Sequence, residues 1–94
     1  MTMDETLRKA LAEIMKAIDV TPNQIRVRVA DPDTFAWLRS VVFDAGRGIS
    51  ALVGPPKSDP TGPTKPQSIR FDRAKGWTAA SAEKWARDHG YTPR

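Results

Sequence analysis

Arginine is the residue type whose spacing in this sequence best suggests a chemistry. Arg26 and Arg28 alternate with aliphatic residues in "QIRVRVAD", and Arg70 does so in "SIRFD". Such alternation is typical of half-buried strands, in which the arginines face solvent and the aliphatic residues face the core. If the two strands are neighbours, their arginines form a cationic stripe that can follow a phosphate backbone.

Four further cations would extend this stripe through a hairpin and a long loop. They are Arg39, Arg47, Lys57 and Lys65. Arg39 shares strand parity with Val41, so it faces solvent only if it lies before the pleated part of its strand. Together with the three strand arginines, these residues are the predicted nucleic-acid-binding site. Two alternatives stay open: an acidic protein partner, and arginines that only solvate the sheet and discourage edge pairing.

The sequence offers little for catalysis or metal binding, so we predict a non-enzymatic protein with no catalytic residue, metal or cofactor. The chain has no cysteine, which excludes thiolate catalysis and cysteine-ligated zinc. His89 has no carboxylate at a ligand spacing and is expected to cap a helix. Asp31 and Asp33 are expected to form a turn. An enzyme would need a pocket that joins His89 to Asp72.

Composition and charge set the broad class of the protein. The 94 residues carry 15 basic and 11 acidic side chains, a net charge of +4, which permits attraction to polyanions without demanding it. A chain of this length is expected to form one domain, residues 1–94. No apolar run approaches the ~20 residues of a membrane span, so no membrane partner is expected. The N-terminus lacks the apolar segment of a signal peptide, and we expect a cytoplasmic location.

Periodicity predicts the elements that must position these residues. Apolar residues recur at the helical period and predict an N-terminal helix over residues 3–19. Strands are predicted at about 24–30, 39–44, 48–53 and 67–72, a mobile loop over 54–66, and a second helix over 78–89 that Trp77 and Trp85 clamp onto the sheet. The predicted fold is α+β: a four-stranded, mainly antiparallel sheet with an N-terminal and a C-terminal helix packed on it.

The segment "QSIRFDRAKGWTAASAEKWARDHGY", residues 67–91, resembles a recurrent pattern in small proteins of bacteriophages and prophages. In that pattern a "Q-S-x-R-F" strand leads through a turn rich in lysine and tryptophan to a helix that ends in "HG". The upstream "IRVRVADPDTF" and "GISALVG" are similar to the strands that precede it there, so the likeness extends over residues 24–91. The resemblance implies a small α+β module of a phage genome and brings no catalytic residues.

The leading expectation is therefore a non-enzymatic binding module of phage or prophage type that contacts nucleic acid. It would act in the cytoplasm of the host cell. The alternative is a protein–protein interaction module, for virion assembly or for inhibition of a host factor. That module would dock a partner, or a second copy of itself, through the N-terminal helix or a sheet edge.

Overall fold

A five-stranded antiparallel sheet with one helix is the architecture in the computed structural model, which describes residues 17–94. The strands are β1 (Ile18–Val20), β2 (Gln24–Arg28), β3 (Arg39–Asp44), β4 (Ile49–Gly54) and β5 (Lys65–Asp72). The helix is α1 (Ala79–Asp88), and two 3₁₀ turns lie at Pro32–Thr34 and Arg73–Lys75. Across the sheet the order is β1-β2-β5-β4-β3, and all neighbouring strands are antiparallel.

This architecture shows that the predicted fold class is wrong. The sheet has five strands instead of four, and residues 17–94 contain one helix on the sheet rather than an N-terminal and a C-terminal helix. The added strand is β1, whose first two residues, Ile18 and Asp19, fall at the end of the predicted N-terminal helix. The remainder of that predicted helix, residues 3–16, lies outside the described residues.

The turn between β1 and β2 explains why the helical period misled the prediction. Residues 21–24, "TPNQ", join the two strands as a hairpin: the Thr21 N–H donates to the Gln24 carbonyl at 2.9 Å, and the Gln24 N–H donates to the Thr21 hydroxyl at 3.1 Å. Pro22 and Asn23 are good turn residues. A hairpin here pairs Ile18 with Val27, and pairing with β2 overrides the helical periodicity of the preceding segment.

The core lies between the sheet and α1. The alternating aliphatic residues of β2, β4 and β5 point to this face together with Phe71, and all are buried. Ala82 and Ala86 of α1 are fully buried against them, because their small side chains let the helix approach closely. Trp77 and Trp85 contact Phe71 at ring-centroid distances of 4.8 and 5.6 Å, which is the clamp that the sequence suggested.

Both ends of α1 are capped by the chain itself. The Thr78 hydroxyl accepts the Ser81 N–H, and the Ser81 hydroxyl accepts the Thr78 N–H. At the other end Gly90 has a φ of +84°, a left-handed conformation that favours glycine. The Tyr91 N–H then donates to the Ala86 carbonyl at 2.8 Å, completing a Schellman motif. The following segment turns back towards β2.

The connection between β4 and β5 is hydrogen-bonded to another loop, and its first residue, Pro55, is fully buried. The Ala36 N–H donates to the Pro55 carbonyl, and the Lys57 N–H donates to the Thr34 carbonyl. The Trp37 indole N–H reaches the Pro60 carbonyl at 3.2 Å. Residues of the predicted mobile loop, 54–66, therefore make backbone hydrogen bonds to the β2–β3 connection. The proline-rich composition of the loop does not indicate this partner.

Candidate nucleic-acid interface

The sheet face opposite α1 carries a row of polar side chains across four strands. The strand register places Arg26 directly opposite Arg70, with Asp19 beyond Arg26 and Ser50 beyond Arg70. Residues that lie directly opposite in antiparallel strands point to the same side of the sheet. The pairing of β2 with β5, which the sequence alone did not establish, is what brings these two arginines together.

A second row lies one step further along the same face. It places Arg28 opposite Ser68, with Leu52 on the other side of Ser68. Arg26 and Arg28 are exposed and Arg70 is half-buried. We call these three residues, Arg26, Arg28 and Arg70, the arginine face. A depression of about 190 Å³ lies among them, and Ser68, Leu52 and Asp19 also line it.

Two of the three guanidinium groups of the arginine face have few hydrogen-bond partners among the described residues. The Arg70 Nε atom is buried and has no hydrogen-bond partner within residues 17–94. The Arg26 Nε–H reaches Gln24 Oε1 only at 3.4 Å. Arg28 is the exception, since its Nε–H donates to the Arg94 carbonyl at 2.7 Å. Like charges that lie directly opposite in a sheet repel one another, so the Arg26–Arg70 pair is unfavourable unless an anion joins it.

Among residues 17–94, no acidic side chain forms an ion pair on this face. Within the described part of the chain, the ion pairs are Lys84–Asp88 and Arg87–Glu83, and both lie on α1. The carboxylates of Asp31, Asp44 and Asp72 instead accept backbone N–H groups in turns. The nearest acid in the sheet register is Asp19, opposite Arg26, and it is not within 4 Å ion-pair distance.

Two of the predicted site residues lie away from the arginine face. Arg39 is opposite Val53, a buried core residue, so it projects on the α1 side of the edge strand β3, with its guanidinium 6.0 Å from the Trp37 ring. Arg47 lies in the β3–β4 turn, with its guanidinium 5.2 Å from the Trp77 ring near the start of α1. These contacts are cation–π interactions, which stabilise the fold locally.

The two predicted lysines lie at or beyond one end of the sheet. Lys57 is exposed in the β4–β5 connection, and Lys65 begins β5 opposite Gly54. Lys65 lines a cavity that Arg94 also lines. Arg94 was not predicted as part of the site. It lies 66 residues from Arg28 in sequence, and only the bonds between them reveal that they are adjacent.

The histidine site that an enzyme would need is not assembled. His89 stacks on Trp85 at a centroid distance of 3.8 Å, and its Nδ1 atom lies 2.7 Å from the Trp85 carbonyl, as expected for a residue that caps a helix. Asp72 caps the second 3₁₀ turn, before α1 begins, whereas His89 caps the C-terminal end of α1. Residues 17–94 contain no group of three or more His, Cys, Asp or Glu side chains placed to hold a metal ion.

No helix within residues 17–94 has the length and hydropathy that crossing a membrane requires. No protein-family model matches this chain, and no curated protein or solved structure matches it either. The resemblance to phage proteins therefore stays a prediction from the motif.

Proposed function

We propose that this protein is a non-enzymatic binding module of phage or prophage type that contacts nucleic acid through the arginine face, in the host-cell cytoplasm. The observation that carries the proposal is Arg26 directly opposite Arg70, with no carboxylate within 4 Å of either among residues 17–94. A phosphate between two guanidinium groups replaces their repulsion with attraction and accepts charge-assisted hydrogen bonds from both. Counterions released from the nucleic acid add to the binding free energy.

The test is removal of the three arginines in one variant, Arg26→Ala with Arg28→Ala and Arg70→Ala. Binding to labelled 20-nucleotide single strands and 20-base-pair duplexes is measured by fluorescence anisotropy at ~50 mM salt, where phosphate contacts are strongest. We expect the triple variant to bind at least ~30-fold more weakly than the wild type. Its plot of log affinity against log salt should also be less steep by roughly two to three units, since each lost phosphate contact removes about 0.7–0.9.

A matched control removes the same charge from the α1 side of the sheet, with Arg39→Ala, Lys84→Ala and Arg87→Ala together. This control should keep most of the affinity, because its cations lie on the other face. Equal losses in both triple variants would mean that binding reflects net charge and not this face. Failure of the wild type to bind either nucleic acid, together with binding to polyglutamate, would replace the proposal with an acidic protein partner.

A second candidate function, a protein-interaction module, is favoured by the edge strand β3. Val42 is 69% exposed, and Phe43 and Trp37 are 39% and 45% exposed. Two-fold antiparallel pairing of β3 with β3 of a second copy would extend the sheet to ten strands and cover these side chains. A bulge between Val42 and Asp44 interrupts the regular edge, and bulges discourage such pairing, so this candidate ranks second.

Sedimentation equilibrium of the nuclease-treated protein tests this second candidate. A dimer that becomes a monomer in Val42→Lys would support it, since a charge on the edge opposes strand pairing. A wild type that stays monomeric at ~100 μM would remove it, because an interface of standard size gives a far lower dissociation constant.

A further inference from the structure

A cavity of about 610 Å³ lies at the end of the sheet beyond Arg28, and Val29 and Tyr91 in its lining pack against the core on the α1 side. Three segments form it: the β2–β3 connection, the adjoining ends of β4 and β5, and the residues that follow α1. Its lining includes two aromatic rings, two prolines and two cations. These are Phe35, Tyr91, Pro56, Pro66, Lys65 and Arg94. The volume falls in the ordinary range for small-molecule sites and exceeds what a nucleobase needs.

The walls of the cavity are held by backbone bonds. Phe35 forms a β-bridge with Pro56, its neighbour in the lining, and the Tyr91 N–H is bonded to the end of α1. The Arg94 N–H donates to the Arg28 carbonyl at 2.8 Å, which ties the third wall to β2. A cavity formed in this way needs little ordering when a ligand enters, and preorganisation of this kind strengthens binding.

The cavity and the arginine face are joined through one residue pair. The Arg28 Nε–H donates to the carbonyl of Arg94, and Arg94 itself lines the cavity. Lys65 stands exposed on the cavity's β5 side. Cationic side chains therefore continue from Arg70 and Arg26 through Arg28 to Arg94 and Lys65. Arg28 and Arg94 also line a neighbouring depression together with Asp31 and Asp33, whose carboxylates would repel a phosphate there.

We propose that this cavity takes one unpaired nucleobase of a single strand whose phosphates lie on the arginine face. The inference rests on the proposed function and names its ligand class. Aromatic and proline walls suit the flat face of a base, while Lys65 and Arg94 at the rim suit its flanking phosphates. A duplex keeps its bases stacked and paired, so it can place phosphates on the arginine face but cannot place a base in the cavity. The protein should therefore bind single strands more tightly than duplexes.

The experiment compares three labelled probes: a 15-nucleotide oligothymidine, an abasic strand with the same phosphates, and a duplex of the same length. Anisotropy titrations at ~50 mM salt should show the oligothymidine bound about ten-fold more tightly than the abasic strand, since stacking of one base contributes on this scale. Ala30→Phe fills the cavity without changing any charge, because Ala30 lines it. This variant should lose that ten-fold preference and bind the abasic strand as the wild type does.

Lys65→Ala provides a second variant that keeps the cavity walls, and thermal melting checks that both variants are folded. Lys65→Ala should weaken oligothymidine binding about three-fold, and its affinity for the duplex should stay within two-fold of the wild-type value. Equal wild-type affinities for oligothymidine and the abasic strand would overturn the inference while the proposed function stands. An unchanged base preference in folded Ala30→Phe would overturn it too, and would leave the cavity to another ligand, such as an apolar side chain of an acidic peptide. Failure to bind all three probes would overturn the proposed function itself.

Discussion

The two faces of the sheet use their cationic side chains in different ways. On the α1 side, Arg87 and Lys84 pair with carboxylates one helical turn away, and Arg47 lies over Trp77. On the opposite side, Arg26 and Arg70 lie against each other with no carboxylate within 4 Å in the described residues. Among the described residues, cations on the first face therefore have partners within the fold, whereas Arg26 and Arg70 have no carboxylate partner. The proposed function assigns stability to the first face and binding to the second.

The largest change in stability should follow from Phe71→Ala, a substitution on the α1 side of the sheet. Phe71 is fully buried and contacts both Trp77 and Trp85. Its truncation should lower the free energy of unfolding by about 3–5 kcal/mol, through lost burial and the cavity that remains. Urea denaturation measures this change, with Ser50→Ala on the opposite face as a control expected to stay within about 0.5 kcal/mol. A loss below ~1 kcal/mol for Phe71→Ala would contradict the assignment of stability to this face.

A smaller effect should follow from Thr78→Ala, which removes the N-cap of α1. The Thr78 hydroxyl accepts the Ser81 N–H, so its loss leaves a helix donor without that partner. We expect stability to fall by about 1 kcal/mol, with nucleic-acid affinity unchanged. Thr61→Ala, at an exposed loop position, is the matched control and should be neutral. A loss of affinity in folded Thr78→Ala would show that the two faces are coupled.

The smallest change in stability, and the sharpest test of the comparison, is expected from Arg70→Glu. The substitution replaces a like-charge pair with an opposite-charge pair facing Arg26. Stability should rise by about 0.5 kcal/mol at low salt, and the gain should shrink in 1 M salt. Nucleic-acid affinity should fall at least ~10-fold. Arg70→Gln, which removes the repulsion alone, should lie between the wild type and Arg70→Glu in stability.

A result of the opposite sign would contradict the comparison. If Arg70→Glu destabilises the protein by more than ~1 kcal/mol at low salt, then Arg70 makes a favourable contact in the folded chain. The arginine face would in that case contribute to the stability of the fold, and the contrast between the two faces would not hold.

Local signals in the sequence account for much of the secondary structure but not for the fold class. The alternation in "QIRVR" and "SIRFD" corresponds to β2 and β5, and the capping residues Thr78 and Gly90 bound α1 as expected. The error lies at residues 18–19, which the helical period assigns to the N-terminal helix and the structure places in β1. A helical period is a property of one segment, so it contains no information about the pairing of Ile18 with Val27 on another strand.

The candidate site shows the same division. Outward arginines on separate strands could be predicted, since a strand has a period of two. Their meeting could not, because it depends on β5 pairing with both β2 and β4. The cavity was wholly unforeseen, since Phe35, Lys65 and Tyr91 come from three distant segments.

The sequence by itself determined which side chains alternate, where the chain turns and how α1 begins and ends, since each depends on neighbours a few residues away. Only the tertiary structure decided that Arg26 meets Arg70, that Arg39 and Arg47 lie elsewhere, and that Arg94 joins Arg28. Strand order and register govern these distances. They result from the burial of apolar side chains over the whole sheet, a global balance that no short segment of sequence records.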